Sequence, residues 1–315
     1  VLIIMTTLLD MAIKEKYENL LKIGDKLAEI SKHVNWKAFA PIVSGLYDNK
    51  SDKGGRPNMD EILMVKMLIL QGLYGLPDQE LERQVNDRIS FQNFLGFPEK
   101  IPDYSTVWYF RERLANSGKD KLIWAEFQRQ IESKGLGIRK GVVQDATIIT
   151  ADPGQTASKS RGEDAKTRRS RDGEWNKRKK GSKFGYKVHS KIDTDHGLIR
   201  DLEITSANVH DNQVDLTKAG EVGYKDKAYF GQKTQAYDGI MKRAVRGRKL
   251  SFKETHRNNR ISKKRRQIER HYAVIKRVFK SGHVLVTSIP RVRVKMMFAC
   301  FCFNLYQLET LSNSA

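Results

Sequence analysis

The chain has 315 residues, and its 58 Lys+Arg against 37 Asp+Glu leave a formal net charge of +21. An excess this large is foreign to an ordinary metabolic enzyme and points to a polyanionic partner, nucleic acid before an acidic membrane surface. A hydrophobic content of 39% with 23 glycines excludes a low-complexity or wholly disordered chain, and the length suits about two domains.

The opening VLIIMTTLL is short, apolar and without a basic leader, so it supports neither a secretory signal nor a membrane span, and a cytoplasmic location is expected. Residues 1–13 are expected to be unstructured or a start artefact. From 14 to 135 the pattern is helical. KEKYENLLKIGDKLAEI, MDEILMVKMLILQGLYGL, PDQELERQVNDRISFQNFLG and DYSTVWYFRERLANSG are each periodic near 3.6 and bounded by Gly or Pro. In the last of these, Ser105 is a candidate N-cap, Trp108 and Leu114 are expected to face inward, and Arg111 and Arg113 to project outward. That arrangement suits a helix-turn-helix reading DNA as well as a solvated basic face.

The pattern changes at 141. GVVQDATIIT is a β-branched run, FGYKVHSKIDT and GLIRDLEITSAN form a hairpin around an HG turn, and a helical stretch is expected from Asp211. EVGYKDKAYFG then reads as strand, QKTQAYDGIMKRA as helix, and NNRISKKRRQIERHYAVIKRVFK as a long helix. Alternation of this kind implies a mixed α/β sheet flanked by helices over 141–290. Residues 159–187 and 242–280 together hold about the whole net charge, and the first stretch, centred on a basic insertion at 155–184, reads as too polar to pack. Residues 291–315 read as a buried C-terminal helix, too short and too charged at its start to span a bilayer. In it Cys300 and Cys302 are expected to be reduced core residues.

Three acids stand out as candidates for chemistry. Asp145 interrupts an apolar strand, where a carboxylate needs a partner, a hydrogen bond or a metal. Asp226 lies between Lys225 and Lys227 and reads equally as a solvated charge cluster. Asp211 competes with it for the same role, or acts as an N-cap. Glu269 lies on a helix whose apolar stripe is Ile261, Ile268, Tyr272, Ile275 and Phe279, with Arg265 and Lys276 on an adjacent stripe. It suits a metal or phosphate site, or an ordinary surface pair with Arg265 worth about 0.2–0.5 kcal/mol.

The strand Asp in GVVQDATIIT, the FGYKVHSKIDTDHGLI hairpin after EWNKRKKG, ITSANVHDNQ, KDKAYFG and the R-x3-E-x6-K pattern of Arg265, Glu269 and Lys276 resemble prokaryotic insertion-sequence transposases. The likeness is to the DDE type grouped with insertion sequence five, and GRPNMDEILMVKMLILQGLYGLPDQELERQ resembles the helical domain of that group. Ser262 departs from the pattern, which has Tyr there. The resemblance implies a ribonuclease-H-like core with Asp145, Asp226 and Glu269 as catalytic, metal-holding acids. It also implies Arg265 and Lys276 on DNA phosphates, and Trp175, Tyr186, Lys187 and His189 where the hairpin meets DNA. An aromatic in such a loop is as readily a packing anchor.

Carboxylates suit two hard ions about 3.5–4 Å apart, Mg²⁺ with Mn²⁺ as substitute, that activate the attacking oxygen and stabilise the leaving one. Three such acids within about 5 Å repel by roughly 3 kcal/mol per pair at an effective dielectric near 20, so metal completes the site. The implied partners are double-stranded DNA, as terminal inverted repeats and target, and a second copy of the chain in a homodimer that brings two ends together. Neutralising about six to ten phosphates would weaken binding by about three to five decades between about 50 and 200 mM salt. A non-catalytic DNA-binding regulator is the competing reading.

Overall fold

Along the first third of the chain, helices end where capping chemistry ends them. A computed structural model of the protein describes residues 8–47, 57–154, 170, 172–178 and 181–314. These fall into two units, Val1–Phe127 with Leu308–Ala315, and Gln128–Gln307. Most of the basic insertion, and the first seven residues of the segment expected to be unstructured, lie outside the described residues.

In the first unit α1 (Leu8–Ile23) begins inside that N-terminal segment and stops at Gly24, whose φ of +102° an L side chain rarely adopts. Asp25 then caps α2 (Lys26–Ser31) by accepting from the Leu27 amide at 3.0 Å, so one expected helix is two. After the single turn α3 (Ala40–Val43), Asp60 caps α4 (Glu61–Tyr74), which ends at left-handed Gly75. Eight apolar residues of α4 are buried, from Leu63 to Leu73, which makes it the centre of this unit. The third expected helix also splits, into α5 (Asp78–Asp87) and α6 (Ile89–Leu95), because Arg88 between them is extended. Helices α7 (Tyr104–Ser117) and α8 (Asp120–Ser133) follow.

Helix α7 corrects three expectations. Its N-cap is Asp103, which accepts from the Thr106 amide at 2.7 Å, while Ser105 donates its hydroxyl to the same carboxylate. Trp108 is 39% exposed and edge-on to Tyr109, because Val107, Phe110 and Leu114 form the inward stripe. Arg111 is buried on that inward side instead of projecting outward.

The second unit is built on a mixed sheet of β1 (Val142–Ala151), β2 (Glu174–Arg178), β3 (Gly181–Asp193), β4 (Ile199–Ser206), β5 (Val222–Lys225), β6 (Tyr237–Ile240) and β7 (His283–Val284). The long β3 runs antiparallel to β1 on one side; on its other side β2 pairs with its first half and β4 with its second. Strands β5 and β7 pair parallel with the start and the end of β1, and β6 extends the sheet beyond β5. The order β4-β3-β1-β5-β6, with a long antiparallel hairpin beside a parallel set, is consistent with the expected ribonuclease-H-like core.

Three expectations fail in this unit. The stretch from Asp211 is one 3-10 turn (Asp211–Gln213), and the segment expected as helix around Tyr237 is the strand β6. Part of the basic stretch judged too polar to pack is β2, paired with β3. At Gly185, where β3 passes from β2 to β4, φ is +146° and a Cβ would collide with the Ile149 carbonyl, so only glycine allows β1 and β3 to approach.

Helix α9 (Phe252–Ala273) begins at a capping box of Ser251 and Glu254 and continues as a π turn, Val274–Val278. Its stripe of Ile261, Ile268, Tyr272, Ile275 and Phe279 is buried as expected. The C-terminal α10 (Ile289–Ser312) carries Cys300 and Cys302, both free and fully buried. Asn304 on α10 holds both main-chain groups of Ile199 at the start of β4. Among the described residues no helix is long and apolar enough to cross a membrane.

Candidate active site

The parallel pairing of β1 with β5 matches Val142 with Gly223 and Val143 with Tyr224. Two residues beyond that pairing, Asp145 within β1 and Asp226 just past the end of β5 are near enough for Asp226 to act on Asp145 electrostatically. Asp145 lies between the stretches of β1 that β5 and β7 occupy, a gap closed by α9. There the Tyr272 hydroxyl donates to the Asp145 main-chain carbonyl at 2.7 Å and accepts from the Ser190 hydroxyl at 2.8 Å. Alternation along β1 turns Asp145 and Thr147 to one side, and α9 meets both. Arg265 Nη2 is 3.0 Å from Asp145 Oδ2, and Lys276 Nζ, within the π turn, is 2.5 Å from Thr147 Oγ1.

Burial pushes the Asp145 carboxyl up to about 6; Arg265 and the Ala146 amide oppose this, and Asp226 and Asp211 add to it. The same three aspartates act on the buried Tyr229 phenol, whose pKa burial raises first. Asp226 itself caps a 3-10 turn, accepting from the Ala228 amide at 2.7 Å. Asp211 is paired with Lys187 at 2.7 Å and lines a polar cavity of about 240 Å³ together with Thr147, Asn176 and His210. Glu269 is exposed on α9 and has no hydrogen-bond or ion-pair partner among the described residues.

The residues expected at the DNA hairpin divide. Lys187 is buried, donating to Asp211 and to the Val209 carbonyl at 2.5 Å. His189 is also buried, bonded to the Thr205 hydroxyl, and burial pushes its pKa down to about 4, which keeps the ring neutral. Tyr186 is buried as well, and of these three only Lys187 lines the cavity beside Asp211. Trp175 is half-buried, edge-on to Phe184 at 5.5 Å. In the helical unit Arg111 is buried against Asp78, whereas half-buried Arg113 lies over the Tyr47 ring at 5.0 Å.

A buried network that sequence reading missed supports the acids. Lys225, immediately before Asp226 and fully buried, donates to Asp215 at 2.6 Å and Gln232 at 2.8 Å. Gln232 in turn donates to the carbonyls of Asn212 and Val214. Gln144, immediately before Asp145, donates to the Val214 carbonyl and accepts from the Leu216 amide. The segment carrying Asp211 is thereby tied to both strands that carry the other two aspartates. The one available signal was position: a strand residue next to an outward acid points the opposite way.

The donor set fits a hard divalent cation in kind, since carboxylate oxygens are its matching ligands. It fits less well in convergence. Among the described residues no three His, Cys, Asp or Glu side chains are grouped so that they could hold one ion.

Two family models match the chain. One described as Transposase domain (DUF772) covers residues 15–113, and one described as Transposase DDE domain covers residues 137–305. No solved structure matches it. The second match spans more than half of the chain and contains Asp145, Asp211, Asp226 and Glu269, so the chain belongs to the DDE transposases, polynucleotidyl transferases that act on DNA and are generally dependent on divalent metal.

Proposed function

We propose that the protein, as a homodimer, binds the terminal inverted repeats of a mobile element of the insertion-sequence-five type. It cuts the element ends by phosphodiester hydrolysis and joins the exposed 3′-hydroxyls to target DNA. The observation that supports this reading is the parallel β1–β5 pairing, which ends two residues short of Asp145 and Asp226, with Asp226 acting on Asp145 and Arg265 of α9 bonded to it. Asp145 and Asp226 are the proposed ligands of Mg²⁺, or of Mn²⁺ in its place, with Glu269 as the third acid and two ions per site. Bound metal would supply activation of the attacking oxygen and stabilisation of the leaving one.

The chain's own residues then bind and orient. Arg265 and Lys276 are the proposed phosphate ligands, and Lys253, Arg260, Lys263, Arg266 and Arg270 add exposed positive charge around α9. Of the other expected DNA contacts, half-buried Trp175 and Arg113 keep open faces. Lys187 and His189 serve the reading as supports of the Asp211 turn and the hairpin.

A second reading of the third acid has its own support. Asp211 acts on Asp145 electrostatically and faces the cavity beside it, while Glu269 is exposed and unpartnered among the described residues. Strand cleavage of labelled end DNA in Mg²⁺ or Mn²⁺ separates the two. Loss of cleavage in Glu269→Gln with retention in Asp211→Asn supports Glu269, and the reverse supports Asp211. No metal-dependent cleavage by the wild-type protein on its cognate ends would favour a non-catalytic DNA-binding role.

A further inference from the structure

We propose that Arg265 is the resting counter-ion of Asp145, and that divalent metal enters the site by displacing its guanidinium. The inference rests on the reading of Asp145 as a metal ligand. Both oxygens of that carboxylate are engaged: Oδ1 accepts from the Ala146 amide at 2.9 Å and Oδ2 from Arg265 Nη2 at 3.0 Å. The amide belongs to β1 and cannot leave without opening the strand. The guanidinium, on a long half-buried side chain, can.

Little else holds it. Among the described residues Arg265 Nη1 meets only the Met241 sulfur, at 4.0 Å, and Nε is buried with no acceptor. Lys187 nearby is differently tied, because it is buried and bonded to the Val209 carbonyl as well as to Asp211.

The charges set the direction of exchange. Arg265 is the cation bonded to Asp145. A guanidinium and a dication on one carboxylate oxygen repel each other, so each weakens the other's hold. Metal loading therefore frees, at the rim of the site, a planar donor matched to phosphate. By reciprocity, whatever captures the freed guanidinium tightens the metal.

The test is titration of the full-length protein with Mn²⁺ alone, without DNA, following free Mn²⁺ by electron paramagnetic resonance. Arg265→Gln is expected to bind Mn²⁺ roughly three- to fivefold more tightly than wild type, the release of a partly exposed ion pair. Arg265→Lys, which keeps the charge, stays near wild type, and Asp145→Asn weakens binding by about tenfold or more. A gain in Arg265→Lys equal to that in Arg265→Gln would overturn the proposal, because the effect would not follow charge. So would unchanged or weaker binding in Arg265→Gln while Asp145→Asn is impaired, with the metal-site reading left standing. Wild-type binding by Asp145→Asn would overturn both.

Discussion

The two units each hold an arginine against an aspartate, and the pairs differ in how many partners each arginine has. In the helical unit Arg111 meets both carboxylate oxygens of Asp78 at 2.8 Å and also Gln71 at 3.0 Å, while Gln71 donates to Asp78 at 2.6 Å. In the sheet unit Arg265 gives Asp145 a single nitrogen. A carboxylate caught in a closed network is part of the structure. One held by a strand amide and a single removable guanidinium bond, with two more carboxylates acting on it, is poised to take another ligand.

The largest expected effect tests the sheet side. Asp145→Asn should lower metal-dependent DNA cleavage by at least about a hundredfold, the scale on which loss of a charge-stabilising group acts, with melting temperature nearly unchanged. If Asp145 were structural in the way Asp78 is, melting temperature would fall and activity would follow it. Next, Arg111→Ala should cost about 3 kcal/mol in denaturant unfolding, because it strands half-buried Asp78 and the Gln71 amide without their shared cation.

A comparable effect is expected from pH. The His189 pKa is pushed down to about 4 by burial, with Lys187 adding and Asp211 opposing, whereas an unfolded histidine titrates near 6.5. Between those values the unfolded chain binds the extra proton. Stability is then fully present above about pH 6.5 and declines as pH falls toward 4, by up to about 3 kcal/mol from this group. Urea unfolding across that window, with His189→Leu flattening the slope, checks it; an equally steep slope in the variant would assign the loss to other groups. The smallest effect belongs to Arg265→Gln, below about 1 kcal/mol in the same unfolding experiment, as for a partly exposed pair. A loss equal to that of Arg111→Ala would erase the contrast between the units.

Much of this was legible because burial leaves periodic traces. The stripe from Ile261 to Phe279 is buried as its spacing requires, and Asp145 was conspicuous as a charge in an apolar strand. The short β6 was not legible. It has four residues, two of them exposed, and pairing with β5 overrides its local preference. The burial of Lys187 and His189 was not legible, because β3 is covered on both faces from Gly185 onward, so alternation along it does not mark exposure. Lys225 has a solvent-facing sequence, KDK, yet is fully buried, since Asp215 and Gln232, ten and seven residues away on loops, fold back onto it. Arg111 reads as a basic helix face until Asp78, well upstream, is brought against it.

The central claim is that Asp145 and Asp226 act as one metal-holding pair across β1 and β5. Single-turnover cleavage of cognate end DNA by Asp226→Asn, in Mg²⁺ and in Mn²⁺, tests it most directly. The account predicts a loss as large as that of Asp145→Asn, at least about a hundredfold, with DNA binding retained. Cleavage by Asp226→Asn at the wild-type rate would contradict it.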